Sequence, residues 1–229
     1  MIKEIVKRRE LINSMVKREI NTRYAGSFLG WLWSFIRPFV MILVFWFIFS
    51  VGFRVRPTND VPFVVWLTAG LCAWYLFAEI ISGADTLVVS QANLIKKTVF
   101  ASEILPIVRI LSSLVFHFIF LIILLGLLLF QKMDFSFFFF QGIYYLFCMS
   151  VLALGLSWII SALHVFIRDV GHMVGVIMQV GFWATPIFWN SSMMSEKIQF
   201  VLKINPMFYI VQGYRESFIY FVPFWEHPY

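Results

Sequence analysis

Long apolar runs constrain this chain more than any other feature. They cover 31–53, 61–81, 105–130, 135–163 and 170–189. A helix needs about 20 predominantly apolar residues to cross the roughly 30 Å of hydrocarbon in a bilayer. Each run meets or approaches that length. Charged types make up only 13% of the chain, where a water-soluble domain carries about 25%. So little charge cannot cover a sphere in water, and the outer surface must face something apolar. The expected fold is an all-α polytopic membrane protein with five visible transmembrane helices.

The segments outside the runs are as informative as the runs. Residues 1–30 form a basic amphipathic stretch. Ile2, Ile5, Val6, Ile12, Met15, Val16 and Ile20 recur near helical spacing, with Lys3, Lys7, Arg8, Lys17, Arg18 and Arg23 between them. A helix of that pattern lies in the membrane interface. It has no apolar core followed by a small-residue cleavage site, so it is read as retained rather than as a signal peptide. Seven Lys and Arg residues precede the first run. The positive-inside bias puts the N-terminus in the cytosol of a cell-membrane protein, and loop 82–104 then faces the cytosol too. Pro38, just after Arg37, predicts a kink or a late start in the first span.

Residues 190–229 do not read as a span. Arg215 and Glu216 interrupt the apolar stretch, with Pro206 and Pro223 on either side. Two charges facing lipid at mid-membrane cost a few kcal/mol each on insertion scales. Two short helices dipping into the outer face fit better. Irregular backbone at that depth persists only where protein or a water-filled cavity covers it. Within the spans charge is sparse. Glu79 and Arg109 lie near the same ends of neighbouring spans and are expected to pair.

No enzymatic chemistry is legible. No GxxxxGK[ST] loop occurs, so the chain has no P-loop with which to hold ATP. No catalytic set, cofactor site or metal-ligand spacing is found. His164 and His172, eight residues apart, make a poor ligand pair. Cys72 and Cys148 sit inside apolar runs and imply no disulfide framework. His117 alone is near mid-span, which disfavours a proton-coupled carrier. Nothing points to nucleic acid. Aromatic types reach 20%, including 28 Phe. Lipid-facing bulk and interfacial belts account for most of them; for a minority, a conduit that stacks on sugar rings is the sharper reading.

Three blocks carry a resemblance. RYAGSFLGWLWSFIRPF at 23–39, IRDVGHMVGVIMQVGFWATPIFW at 167–189 and INPMFYIVQGYRESFIY at 204–220 resemble the membrane (permease) subunits of ATP-binding-cassette exporters for O-antigen, capsule and teichoic acid. They occur in family order and cover nearly the whole chain. DVPFVVWLTAGLCAWYLF at 60–77 is similar to the wall teichoic acid branch.

The resemblance implies a homodimer with the path between the two copies. It also implies a separate cytoplasmic P-loop ATPase in two copies that holds ATP and Mg, and an undecaprenyl-linked polymer as substrate in a setting of membrane lipid. It places the N-terminal helix against the ATPase and makes 91–102 a coupling element, with Gln91, Asn93, Lys96 and Lys97 as contacts. It lines the path with Phe45 and Phe49, at i and i+4 on one helix face, and with Phe182 and Trp183. It makes 190–229 outer-face gate helices bearing Tyr209, Arg215 and Glu216. A sixth span is expected beyond the five. Two other readings stay open: a membrane-embedded polyprenyl-dependent glycosyl- or acyltransferase, and a small-lipid or drug exporter permease of the same superfamily.

Overall fold

The computed structural model describes residues 8–23, 25–55, 61–97 and 100–226. Among those residues the regular structure is helical throughout, with no strand. An amphipathic helix, α1 (Arg9–Arg23), comes first. Next is α2 (Trp33–Trp46), entered through a 3-10 turn at Gly30–Leu32 and extended by a π-helical stretch, Phe47–Gly52. Then follow α3 (Phe63–Ser82), the short α4 (Leu87–Ser90) and α5 (Ala92–Lys97), and the long α6 (Leu105–Phe130). The chain continues through α7 (Gln141–Phe166), α8 (Asp169–Ala184), α9 (Glu196–Ile204) and α10 (Pro206–Arg215), with a last π-helical turn at Glu216–Tyr220.

The expected helix over 1–30 is shorter in the structure. Its first seven residues lie outside those described. It stops at Arg23, and Gly26 and Gly30 beyond it have φ of 78° and 47°, a region glycine enters without steric cost. The apolar stripe is as expected. Ile12 is buried against Ile104 and Val108, with Met15 and Val16 alongside. α1 therefore lies along the start of α6. Pro38 neither stops nor delays α2, which runs from Trp33 through it.

Among the described residues, four helical stretches are long and apolar enough to cross a membrane: Gly30–Gly52, Phe63–Ser82, Ser102–Phe130 and Phe137–Phe166. The fifth expected span, 170–189, differs. α8 has 16 residues, about 24 Å of helix at 1.5 Å per residue, short of the hydrocarbon thickness. Pro186 is the reason. The residue before a proline is driven out of the helical region, and Thr185 is extended at φ −79°, ψ 135°. The unwound stretch that follows is covered: Thr185 and Ile187 are fully buried and Phe188 nearly so.

α3 is the hub. It packs against α6 above all, and against α10, α7, α8 and α2. In its apolar window 78% of residues are buried, against 11% in the window of the α2 span. A helix that is apolar all round belongs inside a protein or a membrane, and α3 is inside. Lipid is as apolar as leucine, so the hydrophobic effect gives helices in a membrane no reason to associate. Close packing of small residues and polar ties do so instead. α3 supplies the small residues Thr68, Ala69, Gly70, Cys72 and Ala73, all buried. Polar and aromatic ties gather at three places.

Candidate functional site

The first place joins α1 to the ends of α3 and α6. Arg109 donates to Glu19 Oε1 at 2.8 Å and to the backbone carbonyl of Glu79 at 2.7 Å. The Glu79 carboxylate pairs with Arg23 and accepts from Ser113 Oγ at 3.0 Å. The Arg23 guanidinium also lies 3.9 Å over the ring of Phe116. The expected Glu79–Arg109 ion pair is therefore corrected. The two are adjacent, but each finds its opposite charge on α1. The reason is local. Arg109 reaches across the end of α3 to an unsatisfied carbonyl there, and α1 lies alongside with Glu19 and Arg23 one helical turn apart. Two crossed ion pairs thus bolt the amphipathic helix to the bundle.

The loop 82–104 lies at this same end, folded into α4 and α5. Gln91 links them, its carbonyl accepting from the Leu94 and Ile95 amides at 2.9 and 3.0 Å. Asn93 and Lys96 are exposed on α5. The side chain of Lys97, and residues 98–99 within the expected coupling element, lie outside the described residues.

The second place is aromatic. Phe45, Phe49, Phe182 and Trp183 come together between α2 and α8, as parts of one cluster. Its centre is a residue that the sequence reading missed, Phe188, only 1% exposed. The Phe188 ring lies 4.7 Å from that of Phe45, 4.9 Å from Phe49, 5.0 Å from Phe182 and 5.3 Å from Trp183. Tilted and edge-to-face pairs at such distances are favourable for ring quadrupoles. The unwinding at Pro186 carries Phe188 back under the rings of α8. That turn was the available signal, since a helix continued past Pro186 would not fold back. Within the cluster Trp183 is the most open, at 54% exposure. Its indole can meet a ligand while the others hold it.

The third place is Arg215, at 0% exposure. Its guanidinium donates to the carbonyls of Pro186 at 2.8 Å and Ile187 at 2.9 Å, to Gln212 Oε1 at 3.1 Å and to the Trp66 carbonyl at 3.4 Å. It also stacks over the Trp66 ring at 3.4 Å. Room for it exists because residue 70 is glycine. A Cβ there would lie 2.9 Å from Arg215 Nη2. The arginine expected to bar this segment from lipid is therefore inside protein, where its charge satisfies the backbone freed by the broken α8. Glu216 is also buried and accepts from Tyr145 Oη at 3.5 Å. Tyr209, by contrast, is 38% exposed and packs edge-on to Phe208. The three expected gate residues thus share a segment but not a site.

Asn205 sets the start of α10. Its side chain accepts from the Met207 amide at 3.0 Å, and its Nδ2 donates to Thr185 Oγ1 at 3.0 Å. This is an N-cap that also holds the unwound stretch. From there α10 brings Tyr214 Oη to 3.0 Å from His117 Nε2, half way along α6, and His117 Nδ1 lies 3.7 Å from Cys72 Sγ on α3. His117 is thus a packed, partnered core residue.

The family described as ABC-2 type transporter matches residues 10–219. An O-antigen export system permease protein, RfbA, of Klebsiella pneumoniae is 29% identical over 212 residues, covering 92% of this chain and 80% of that protein. A protein of the same name from Myxococcus xanthus is 28% identical over 223 residues, covering 95% of this chain and 84% of its own. The family match takes in every helix from the second residue of α1 to the last π turn, and with it all three sets of polar and aromatic ties. This multi-pass membrane protein belongs to the ABC-2 type transporter family.

Proposed function

We propose that this chain is the membrane half of an ATP-driven exporter of lipid-linked polysaccharide, with O-antigen-like polymer as its cargo. The observation that carries the reading is the match to O-antigen export permeases over 92–95% of the chain. Those relatives favour O-antigen over teichoic acid. The chain acts without chemistry of its own. ATP and Mg are held by a separate P-loop ATPase, two copies of which serve two copies of this chain in the cytoplasmic membrane.

In this reading α1 and α5 face the cytosol and meet the ATPase. Exposed Asn93 and Lys96 offer contacts, with Gln91 and Lys97 beside them. A push on α1 passes directly to α3 and α6 through the Arg23–Glu79 and Glu19–Arg109 pairs. The polymer passes between copies along the aromatic cluster. Sugar rings present C–H faces to Phe45, Phe49, Phe182 and Trp183. Such contacts fix no single hydrogen-bond register, so a chain can slide over them. The segment 190–229, held by Arg215 and Asn205, forms the outer gate.

Deletion of the gene, with surface polysaccharide measured by extraction and blotting, tests this reading. Surface polymer is expected to vanish while lipid-linked polymer accumulates inside. Unchanged surface polymer in the deletion strain would sink the proposal.

A further inference from the structure

The turn that leads from α3 into the loop 82–104 meets the start of α8 at Asp85. That side chain is half-buried and its carboxylate serves two elements. Oδ1 accepts at 2.8 Å from the amide of Thr86, the N-cap residue of α4. Oδ2 lies against Gly171 in the first turn of α8, where a Cβ would stand 2.7 Å from it. No side chain fits at 171 unless the carboxylate moves. The His164 imidazole, from the last turn of α7, forms the other wall of this notch, with Cε1 at 3.2 Å and Nδ1 at 3.5 Å from the same point. Its Nδ1 is buried without a hydrogen-bond partner among the described residues, so the ring is a wall and not half of a His–Asp pair. Charge suits the seat as well. A helix N-terminus carries a partial positive charge, and Arg168, the N-cap of α8, makes no side-chain cap bond. Asp85 brings a carboxylate to that end from another part of the chain, beside Asp169 of α8 itself.

We propose that Asp85 is a strut that passes movement of the 82–104 loop to α8, and so to the aromatic cluster at its far end. Gly171 and Trp183 lie near opposite ends of one unbroken helix, about 18 Å apart at 1.5 Å per residue. A push on the first turn therefore reaches Phe182 and Trp183 through the helix. The proposal rests on the reading that an ATPase drives this chain, and it adds a second route to the one through α1. The ion pairs of α1 reach α3 and α6, whereas Asp85 reaches α8. Coupling carried by packed contacts needs an unbroken series of them. Here the series runs from α5 through the Gln91 link and α4 to Thr86, Asp85 and Gly171. Fit transmits the push, and charge seats the carboxylate. Asp85 is thus a positioning residue of the transport cycle, and Gly171 is glycine to receive it.

Thiol labelling of the complex of this chain with its ATPase tests the strut. Trp183→Cys puts a thiol at the exposed rim of the cluster, and a maleimide reads its accessibility with and without MgATP and vanadate. The complex without that substitution gives the background from Cys72 and Cys148. Trapping the ATPase is expected to change the labelling rate at 183 about fivefold or more, the lower end of coupling between sites. Asp85→Ala should abolish that change while the ATPase stays bound to the chain. Gly171→Ala should do the same, although alanine is the better helix former, and the two together should be no worse than either alone. Asp85→Asn keeps the shape and should keep most of the response. Asp134→Asn, exposed in the turn between α6 and α7, should leave it whole. Should Gly171→Ala fail to fold, Asp85→Ala decides, since it removes atoms and adds none. A labelling rate that ignores nucleotide in the otherwise wild-type complex, or a full response in Asp85→Ala, overturns the strut. So does an Asp85→Ala chain whose ATPase binding and unfolding midpoint fall along with the response, because the residue is then structural. The labelling needs no polymer, so a complex that responds through Asp85 yet exports nothing overturns the cargo reading and upholds the strut.

Discussion

Replacing Arg215 with lysine, nominally conservative, is expected to be among the most damaging changes in the chain. The guanidinium makes at least four hydrogen bonds in three directions: to the Pro186 and Ile187 carbonyls, to the Trp66 carbonyl, and to Gln212. An ammonium is a compact point charge without the planar fork. Reaching one carbonyl of the 186–187 pair, it abandons at least two of the four partners and the flat stack over Trp66. Hydrogen bonds to charged groups contribute about 1.5–3 kcal/mol each, so two lost bonds cost about 3–6 kcal/mol. The buried charge remains, and so does its desolvation cost. Thermal unfolding of the purified protein in detergent, followed by tryptophan fluorescence, measures the loss. For a chain of this size 3 kcal/mol corresponds to a midpoint about 6–12 °C lower. Arg215→Met should fall in the same range. Gly70→Ala pushes on the same guanidinium from the other side, so its effect and that of Arg215→Met should combine to less than their sum. A lysine variant within about 1 kcal/mol of wild type, or strict additivity with Gly70→Ala, would refute the reasoning that the fork holds the broken end of α8.

The crossed ion pairs make a similar test. Glu19→Arg and Arg109→Glu should each destabilise, and together recover about 1 kcal/mol or more of coupling, whereas reversing Glu79 and Arg109 together should recover nothing. Phe188→Ala empties the centre of the aromatic cluster and should cost about 3–5 kcal/mol, read by the same unfolding assay. Trp183→Ala, at the exposed rim, should change stability by less than about 1 kcal/mol yet reduce polymer export in cells. Lys96→Glu with Lys97→Glu should weaken co-purification of the ATPase while leaving the unfolding midpoint unchanged, and undiminished association would remove α5 from the coupling role.

Much of the architecture was legible because hydropathy and proline act locally. The α2, α3, α6 and α7 spans follow from uninterrupted apolar runs, and Ile12, Met15 and Val16 follow from helical spacing. The charges at Arg215 and Glu216 rightly kept the last segment away from lipid. What they do there was not legible, because it depends on three carbonyls from α3 and from the stretch after α8. The end of α8 could have been read from Pro186. It was missed because apolar composition continues to Trp189 while the helix does not. The Glu79–Arg109 expectation failed for a different reason. Proximity along neighbouring spans was inferred correctly, but the competing partners Glu19 and Arg23 belong to a helix whose docking on α6 could not be inferred from its own pattern. Phe188 went unnoticed because one phenylalanine among 28 carries no local mark of being central.

The most direct measurement of the central claim is reconstitution. The chain is co-purified with its P-loop ATPase, placed in proteoliposomes containing undecaprenyl-linked O-antigen, and assayed for polymer reaching the opposite leaflet with and without ATP. The account requires ATP-dependent translocation that needs both subunits, together with ATP hydrolysis stimulated by the lipid-linked polymer. Polymer movement without ATP or without the ATPase, or covalent modification of the polymer by this chain alone, would contradict it.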